Sequence, residues 1–234
     1  MTILTNLDAE FKRGGKQKYN MKNILLMGQT SRRVRLREFF THKGYNVVEC
    51  RNELTIRFLE KNKFDYLIAS GYAHIIQPVI VKLYKNQIIN LEDSLLPYVR
   101  GSYPGVWAFF EGTQKGVTIF YIDEGLDSGD IIAQKEIKYP DDETLFSSYH
   151  KRIIEVENLL IKKWEDIISG KIEVIPQKIY PKGLWKNKEH SEKLMKLFPQ
   201  RWHTRTEEVE KVGAEFSQTR MFWIDCKKRI RKGG

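Results

Sequence analysis

Hydrophobic positions along this chain fall into two alternating rhythms. The runs KNILLMG (22–28), YNVVEC (45–50), FDYLIAS (64–70) and IINL (88–91) are short and nearly unbroken, as in buried strands. Between them, RRVRLREFFTHKG (32–44), RNELTIRFLEKNK (51–63) and VIVKLYKN (79–86) carry apolar residues at helical spacing. Gly28 and Gly44 punctuate the first strand and helix, and Pro78 enters the third helix where proline suits a first turn. Strands alternating with helices pair in parallel through right-handed crossovers, so the predicted class is α/β, a doubly wound and mostly parallel sheet covered on both faces.

Further along, PGVWAFFEGT (104–113) predicts a helix, and GVTIFYID (116–123) and IIAQKEIKY (131–139) an antiparallel strand pair. Residues 142–170 form a long amphipathic period ending at Gly170. Past it the signal weakens through KIEVIPQ and a Trp/Lys-rich segment to KKRIRKGG (227–234). The expected organisation is a flexible leader over 1–20 with Met21 as a candidate functional start, a main domain over 21–170, and a C-terminal extension over 171–234.

Composition narrows the classes. A chain of 234 residues with 41% hydrophobic content can build one substantial core. No stretch approaches the ~18–20 apolar residues of a membrane span, and the leader lacks the apolar centre of a signal peptide, so a soluble, cytoplasmic protein is expected. Cys50 and Cys226 have no Cys-x-x-Cys spacing, which argues against a disulfide framework or a zinc site. The net charge of +10 fits anionic partners such as nucleic acid, nucleotides, folate polyglutamate or a membrane surface, and equally a solvated lysine-rich exterior.

Candidate chemistry clusters in a few loops. MGQTSRR (27–33) lies where doubly wound folds bind phosphate, with Arg32 and Arg33 close by, but it lacks the Rossmann glycine spacing and the Walker spacing. An ordinary tight turn is the favoured reading there, and no dinucleotide cofactor is expected. SGYAHII (70–76) leaves a buried strand on the side where open α/β sheets take ligands, although a single histidine such as His74 is more often structural. Asn90 closes an apolar run, either as a turn cap or as a hydrogen-bond donor to an oxyanion. Arg100, Tyr103 and Trp107 make an aromatic, cationic loop suited to a nucleotide or sugar, though Trp107 also opens a helical apolar pattern. Asp127 and Asp130 bracket Ser128-Gly129, which by itself reads as an Asx-type turn. The two acids lack a third partner for Mg²⁺, and no metal is expected.

The ordered blocks Asn-x-x-x-Ser-Leu-Leu-Pro, Arg-Gly-x-x-Pro-x-x-Trp, Gly-Val-Thr and Asp-Glu-Gly-Leu-Asp-Ser-Gly-Asp-Ile are far more specific than any one motif. Together, from about Lys22 to Tyr139, they resemble the folate-dependent formyltransferases, and most of all the sugar N-formyltransferases of bacterial surface-polysaccharide pathways. The resemblance implies a Rossmann-like core and transfer of a formyl group from 10-formyltetrahydrofolate to the amine of a nucleotide-linked amino-dideoxy sugar. It also implies a homodimer, with no stable nucleic-acid complex and no membrane association. Asn90 and Asp127 match two catalytic positions, Tyr72, Ala73, His74, Ile75 and Ile76 one folate-binding loop, and Ile122, Asp123, Glu124, Gly125 and Leu126 the other. Arg100, Tyr103 and Trp107 are the candidate substrate contacts. A methionyl-tRNA formyltransferase is the enzymatic alternative, for which the residues after Gly170 are too few and too irregular to supply the added barrel domain of that branch.

One position departs from the pattern. Where the resemblance leads to a catalytic histidine, two residues after the asparagine, this chain has Glu92. An ionised carboxylate ~4 Å from a developing oxyanion would cost about 4 kcal/mol at an effective dielectric of ~20, roughly a thousandfold in rate. Three readings stay open: Glu92 is protonated and donates, it turns away, or the chain is a folate- or nucleotide-sugar-binding pseudoenzyme.

Overall fold

The computed structural model describes residues 22–28, 34–177 and 185–218. Six strands make the main sheet: β1 (Asn23–Gly28), β2 (Asn46–Cys50), β3 (Tyr66–Ser70), β4 (Ile88–Glu92), β6 (Gly116–Tyr121) and β7 (Ile131–Glu136), in the order β2-β1-β3-β4-β6-β7. The first four are parallel, and β6 and β7 close the sheet antiparallel. The mostly parallel α/β sheet is therefore as expected. The antiparallel seam between β4 and β6 is an addition that periodicity does not reveal. A two-stranded ribbon of β5 (Arg100–Gly101) and β8 (Trp185–Lys186) lies apart from the main sheet.

Both faces of the sheet are covered. On one, Leu36 and Phe40 of α1 (Val34–His42) and Val156, Leu160 and Trp164 of α5 (Leu145–Ile168) pack with Ile89 and Leu91. On the other, Leu59 of α2 (Ile56–Asn62) and Ile80 and Val81 of α3 (Pro78–Leu83) pack with Leu25, Leu67 and Ile88. Strand alternation then places Asn90 and Glu92 on the face of Ile88.

The helix predicted from residue 51 begins only at Ile56, where Thr55 accepts from the Phe58 N–H. Upstream, the Arg51 and Asn52 carbonyls are taken by His74 and Tyr72 rather than by helical N–H groups. The long period over 142–170 becomes α5, opened by a capping box in which Thr144 and Ser147 satisfy one another's backbone N–H.

Beyond Gly170, Ile175 bridges to Ile131. The helix α6 (Lys188–Met195) and a last helix over residues 206–218 pack against α4 (Pro104–Phe110) through Val106, Phe109, Leu194, Met195, Phe198 and Val209. The tight-turn segment after Gly28, with Arg32 and Arg33, and Cys226 lie outside the described residues. Among the described residues no helix is long and apolar enough to cross a membrane.

Candidate active site

A cleft of about 630 Å³ opens where the sheet changes from parallel to antiparallel pairing. That volume lies in the range of small-molecule sites. Asn90 stands third of five residues in β4, paired with Ala69 on one side and Phe120 on the other. It is therefore no turn cap, and its amide projects into the cleft beside Glu92.

Asp127 reaches the same cleft from the loop joining β6 to β7. Its backbone is left-handed, with φ of 49°. The Asx-type turn expected in this loop is made by Asp123, whose Oδ1 accepts from the Gly125 N–H at 3.0 Å and the Ser128 hydroxyl at 2.8 Å. Asp127 is left to face inward. Burial pushes its carboxyl above the usual aspartate range, against the lowering effects of the Gly101 N–H and the Arg100 guanidinium.

Glu92 does not turn away. Its Oε2 accepts from Asn90 Nδ2 at 3.3 Å, and its Oε1 lies 3.2 Å from Ser94 Oγ. Burial first, then the like charges of Asp127 and Asp93, push its carboxyl well above the usual range. The following loop is fixed by buried Thr118, whose Oγ1 donates to the Ser94 carbonyl at 2.8 Å and accepts from the Leu96 N–H at 3.0 Å.

The two loops expected to hold folate both line the cleft, from Tyr72 to Ile76 and from Ile122 to Leu126. Tyr72 donates to the Asn52 carbonyl at 2.8 Å, and burial pushes its phenol up to about 12, so it stays a donor. His74 Nε2 lies 3.1 Å from the Arg51 carbonyl, which places a proton on that nitrogen. Ile75, 83% exposed, and Leu126, 49% exposed, present apolar surface. A flat aromatic ring suits that surface.

The three candidate substrate contacts separate. Tyr103 lines the cleft, with its hydroxyl donating to Glu192 at 2.8 Å. Arg100 is outside the cleft lining, held by Gln177 at 2.8 Å, and it acts on the cleft through Asp127. Trp107 is also outside the lining, its indole N–H donated to Ser191 and its ring covered by Lys186 at 4.3 Å, because it packs α4 against α6.

Several lining residues carried no sequence signal. Arg152, 2% exposed, enters from α5 with Nε 3.8 Å from Asp93. It fits only because residue 105 is glycine, since a Cβ there would meet its guanidinium at 2.1 Å. Tyr149, Lys186, Lys188 and Trp202 complete that wall. Gln177 works from behind, with Nε2 donating to the Gly129 carbonyl at 2.7 Å and the Asp127 carbonyl at 3.2 Å. No group of His, Cys, Asp and Glu able to hold a metal occurs among the described residues.

A strand amide and a half-buried carboxylate thus face one cleft at the point where the sheet changes direction, an arrangement that acyl transfer can use. The chain belongs to the formyl transferase family, which it matches over residues 24–164. Its similarity to the methionyl-tRNA formyltransferase of Agathobacter rectalis is 32% identity over 154 residues, covering 64% of this chain and 50% of that protein. The chain spans about half the length of the curated relatives it matches. Among solved structures it is similar to the formyltransferase PseJ from Anoxybacillus kamchatkensis, solved with UDP-4,6-dideoxy-4-formamido-L-AltNAc and tetrahydrofolate. That match has a TM-score of 0.74 at 37% identity, over 81% of this chain and 99% of the other. A 4-N formyltransferase from Francisella tularensis shares the fold, with a TM-score of 0.64 at 20% identity over 81% and 86% of the two chains.

Proposed function

We propose that this protein transfers a formyl group from 10-formyltetrahydrofolate to the amine of a nucleotide-linked amino-dideoxy sugar that serves surface-polysaccharide synthesis. The observation that carries the reading is the Asn90 amide and the Asp127 carboxylate facing one cleft between the loops Tyr72–Ile76 and Ile122–Leu126. The ligands of the Anoxybacillus kamchatkensis enzyme, a UDP-linked formamido sugar and tetrahydrofolate, support that choice of donor and acceptor.

In this mechanism the two loops seat the pterin, and Tyr103 with the Tyr149, Lys188 and Trp202 wall receives the nucleotide sugar. As the neutral amine adds to the formyl carbon, Asn90 donates to the formyl oxygen, where negative charge develops. Asp127, made more basic by burial, takes the amine proton directly or through one water. It returns that proton to the folate nitrogen as the carbon–nitrogen bond to folate breaks. The new amide and tetrahydrofolate leave with no change of oxidation state, and the chemistry needs no metal. We assign catalysis to the cytoplasm and a homodimeric state to the enzyme.

The curated relatives and the net charge of +10 favour one rival, a methionyl-tRNA formyltransferase. Incubation with 10-formyltetrahydrofolate and either a panel of nucleotide-linked 4-amino sugars or methionyl-tRNA separates the two. Formylation of a sugar, with a Michaelis constant that changes little with salt, is the expected result. Formylation of tRNA with an affinity that falls steeply with salt would replace the proposal, since phosphate contacts release counterions. Tight folate binding with no transfer to any amine would instead mark a pseudoenzyme.

A further inference from the structure

We infer that Glu92 is a neutral positioning residue whose carboxyl, bonded to Ser94, locks the Asn90 amide in the orientation that formyl transfer requires. This rests on the formyl-transfer reading above and concerns how the site works without a histidine at this place.

The geometry turns on counting protons. Ser94 is buried, and its hydroxyl has two oxygen neighbours, Glu92 Oε1 at 3.2 Å and the Val99 carbonyl at 3.0 Å. A serine hydroxyl carries one proton and accepts through its lone pairs. If Glu92 were ionised, both neighbours would be acceptors, and one contact would set lone pair against lone pair at a buried hydroxyl. Such an unsatisfied arrangement is costly. With the acid proton on Oε1, every contact is satisfied in one direction. Oε1–H donates to Ser94, Ser94 donates to the Val99 carbonyl, and Oε2 accepts from Asn90 Nδ2.

The charges around the site agree. Asp127 and Asp93 both press on Glu92, Arg152 lies 3.8 Å from Asp93, and Arg100 acts on Asp127. Burial of the carboxyl acts in the same direction as the two acids, and together they outweigh the hydrogen bonds from Ser94 and Asn90, which act the other way.

The consequence for the mechanism is specific. The proton of Glu92 is directed to Ser94, away from the formyl oxygen, so Glu92 does not donate to the oxyanion. Its Oε2 instead fixes one of the two Asn90 N–H bonds and thereby directs the other into the cleft. Neutrality matters for a second reason, because it removes the like charge that would oppose the oxyanion.

Glutamine reproduces the neutral acid, with an NH₂ to donate to Ser94 and an oxygen to accept from Asn90. Alanine does neither. Glu92→Ala is expected to lower kcat about 100-fold, the scale of a misplaced reacting group. The conservative Glu92→Gln should recover it to within about tenfold of wild type, with the folate Michaelis constant unchanged in both. Ser94→Ala should lower kcat while shifting the carboxylic-acid carbonyl stretch of Glu92 in the infrared.

That stretch is the second readout. In wild type at pH 7 it should be present and should vanish in Glu92→Gln. A wild-type minus Glu92→Gln difference spectrum showing only carboxylate bands would overturn the proposal. So would a folded, folate-binding Glu92→Gln as impaired as Glu92→Ala. A wild type that formylates no amine would sink the formyl-transfer reading, while the infrared result would still decide the protonation of Glu92.

Discussion

Gly129 offers the sharpest geometric test of how Asp127 is placed. A Cβ on this residue would stand 1.7 Å from the Tyr121 carbonyl oxygen, 2.9 Å from its carbon and 3.2 Å from the Asp123 nitrogen. Real Cβ atoms stay at least 3.0 Å away, so in Gly129→Ala the loop and β6 must separate by 3.0 − 1.7 = 1.3 Å or more. No flexible side chain can absorb the move, because the obstacle is the backbone at the end of a central strand. The shift also pulls the Gly129 carbonyl from Gln177, now 2.7 Å away, and carries Asp127 with it. Overpacking of this kind costs about 1–3 kcal/mol of stability. For a chain of this size that is roughly 2–4 °C of Tm per kcal/mol. Displacing a catalytic group by ~1 Å costs about 100-fold in rate. The expected outcome is therefore a kcat lowered about 100-fold in a protein that remains folded, with Tm down by several degrees. Steady-state kinetics and thermal denaturation of the same preparation measure both. A Gly129→Ala enzyme within threefold of wild-type kcat would refute the idea that this loop fixes the carboxylate.

Other perturbations separate the roles of neighbouring groups. Asn90→Ala removes the proposed oxyanion donor and should lower kcat about 10²–10³-fold, and Asp127→Asn should abolish turnover, with calorimetry showing near-normal folate binding in both. Gln177→Ala frees the Asp127 and Gly129 carbonyls and leaves Arg100, whose Nε already has no partner among the described residues, without its Gln177 bond. It should lower kcat about tenfold, through misplacement of the loop rather than loss of a reacting group, and steady-state kinetics checks it.

A stability prediction comes from Glu157, whose carboxyl is pushed up to about 7 by burial, with Arg35 at 3.4 Å opposing the shift. The folded state then holds a proton that the unfolded state gives up above about 4.5, so stability falls as pH rises from there towards 7 and levels off beyond it. Solvent around the half-exposed Arg35 screens the attraction that opposes the shift, so the direction of the effect stands. Glu157→Gln should raise Tm at pH 8 and leave it nearly unchanged at pH 4.5, a comparison that denaturation scans make directly.

How much of this was legible in the sequence depended on the range of the contacts involved. The strands β1, β3 and β4 and the helix α5 are readable because each buries a run or face of apolar residues. Asn90 and Asp127 are marked by the order of their motifs, whereas position alone favours a turn for Asn90. The pairing of β4 with β3 and β6 carries the strand past Asn90 to Glu92 and so excludes the turn. Trp107 and Arg100 stood out for their residue types, yet one packs against α6 and the other stands behind Asp127. Gln177 and Arg152 leave no mark in any local pattern, because they act across 48 and 59 positions of chain, from Gly129 and Asp93 respectively. Glu92 was conspicuous as a departure. Its meaning depended on Ser94 and the Val99 carbonyl, two contacts that only the folded loop creates.

In the proposed reaction the Asn90 and Asp127 cleft places a formyl group on a sugar amine. Its most direct measurement uses 10-formyltetrahydrofolate carrying a ¹³C-labelled formyl carbon with a UDP-linked 4-amino-4,6-dideoxy sugar, and follows the label by NMR. The account predicts a labelled formamide carbon bonded to the sugar's 4-nitrogen, formed by wild type and reduced at least about 100-fold in Asn90→Ala. Label that remains on folate or appears as free formate, or equal formamide from Asn90→Ala, would contradict it.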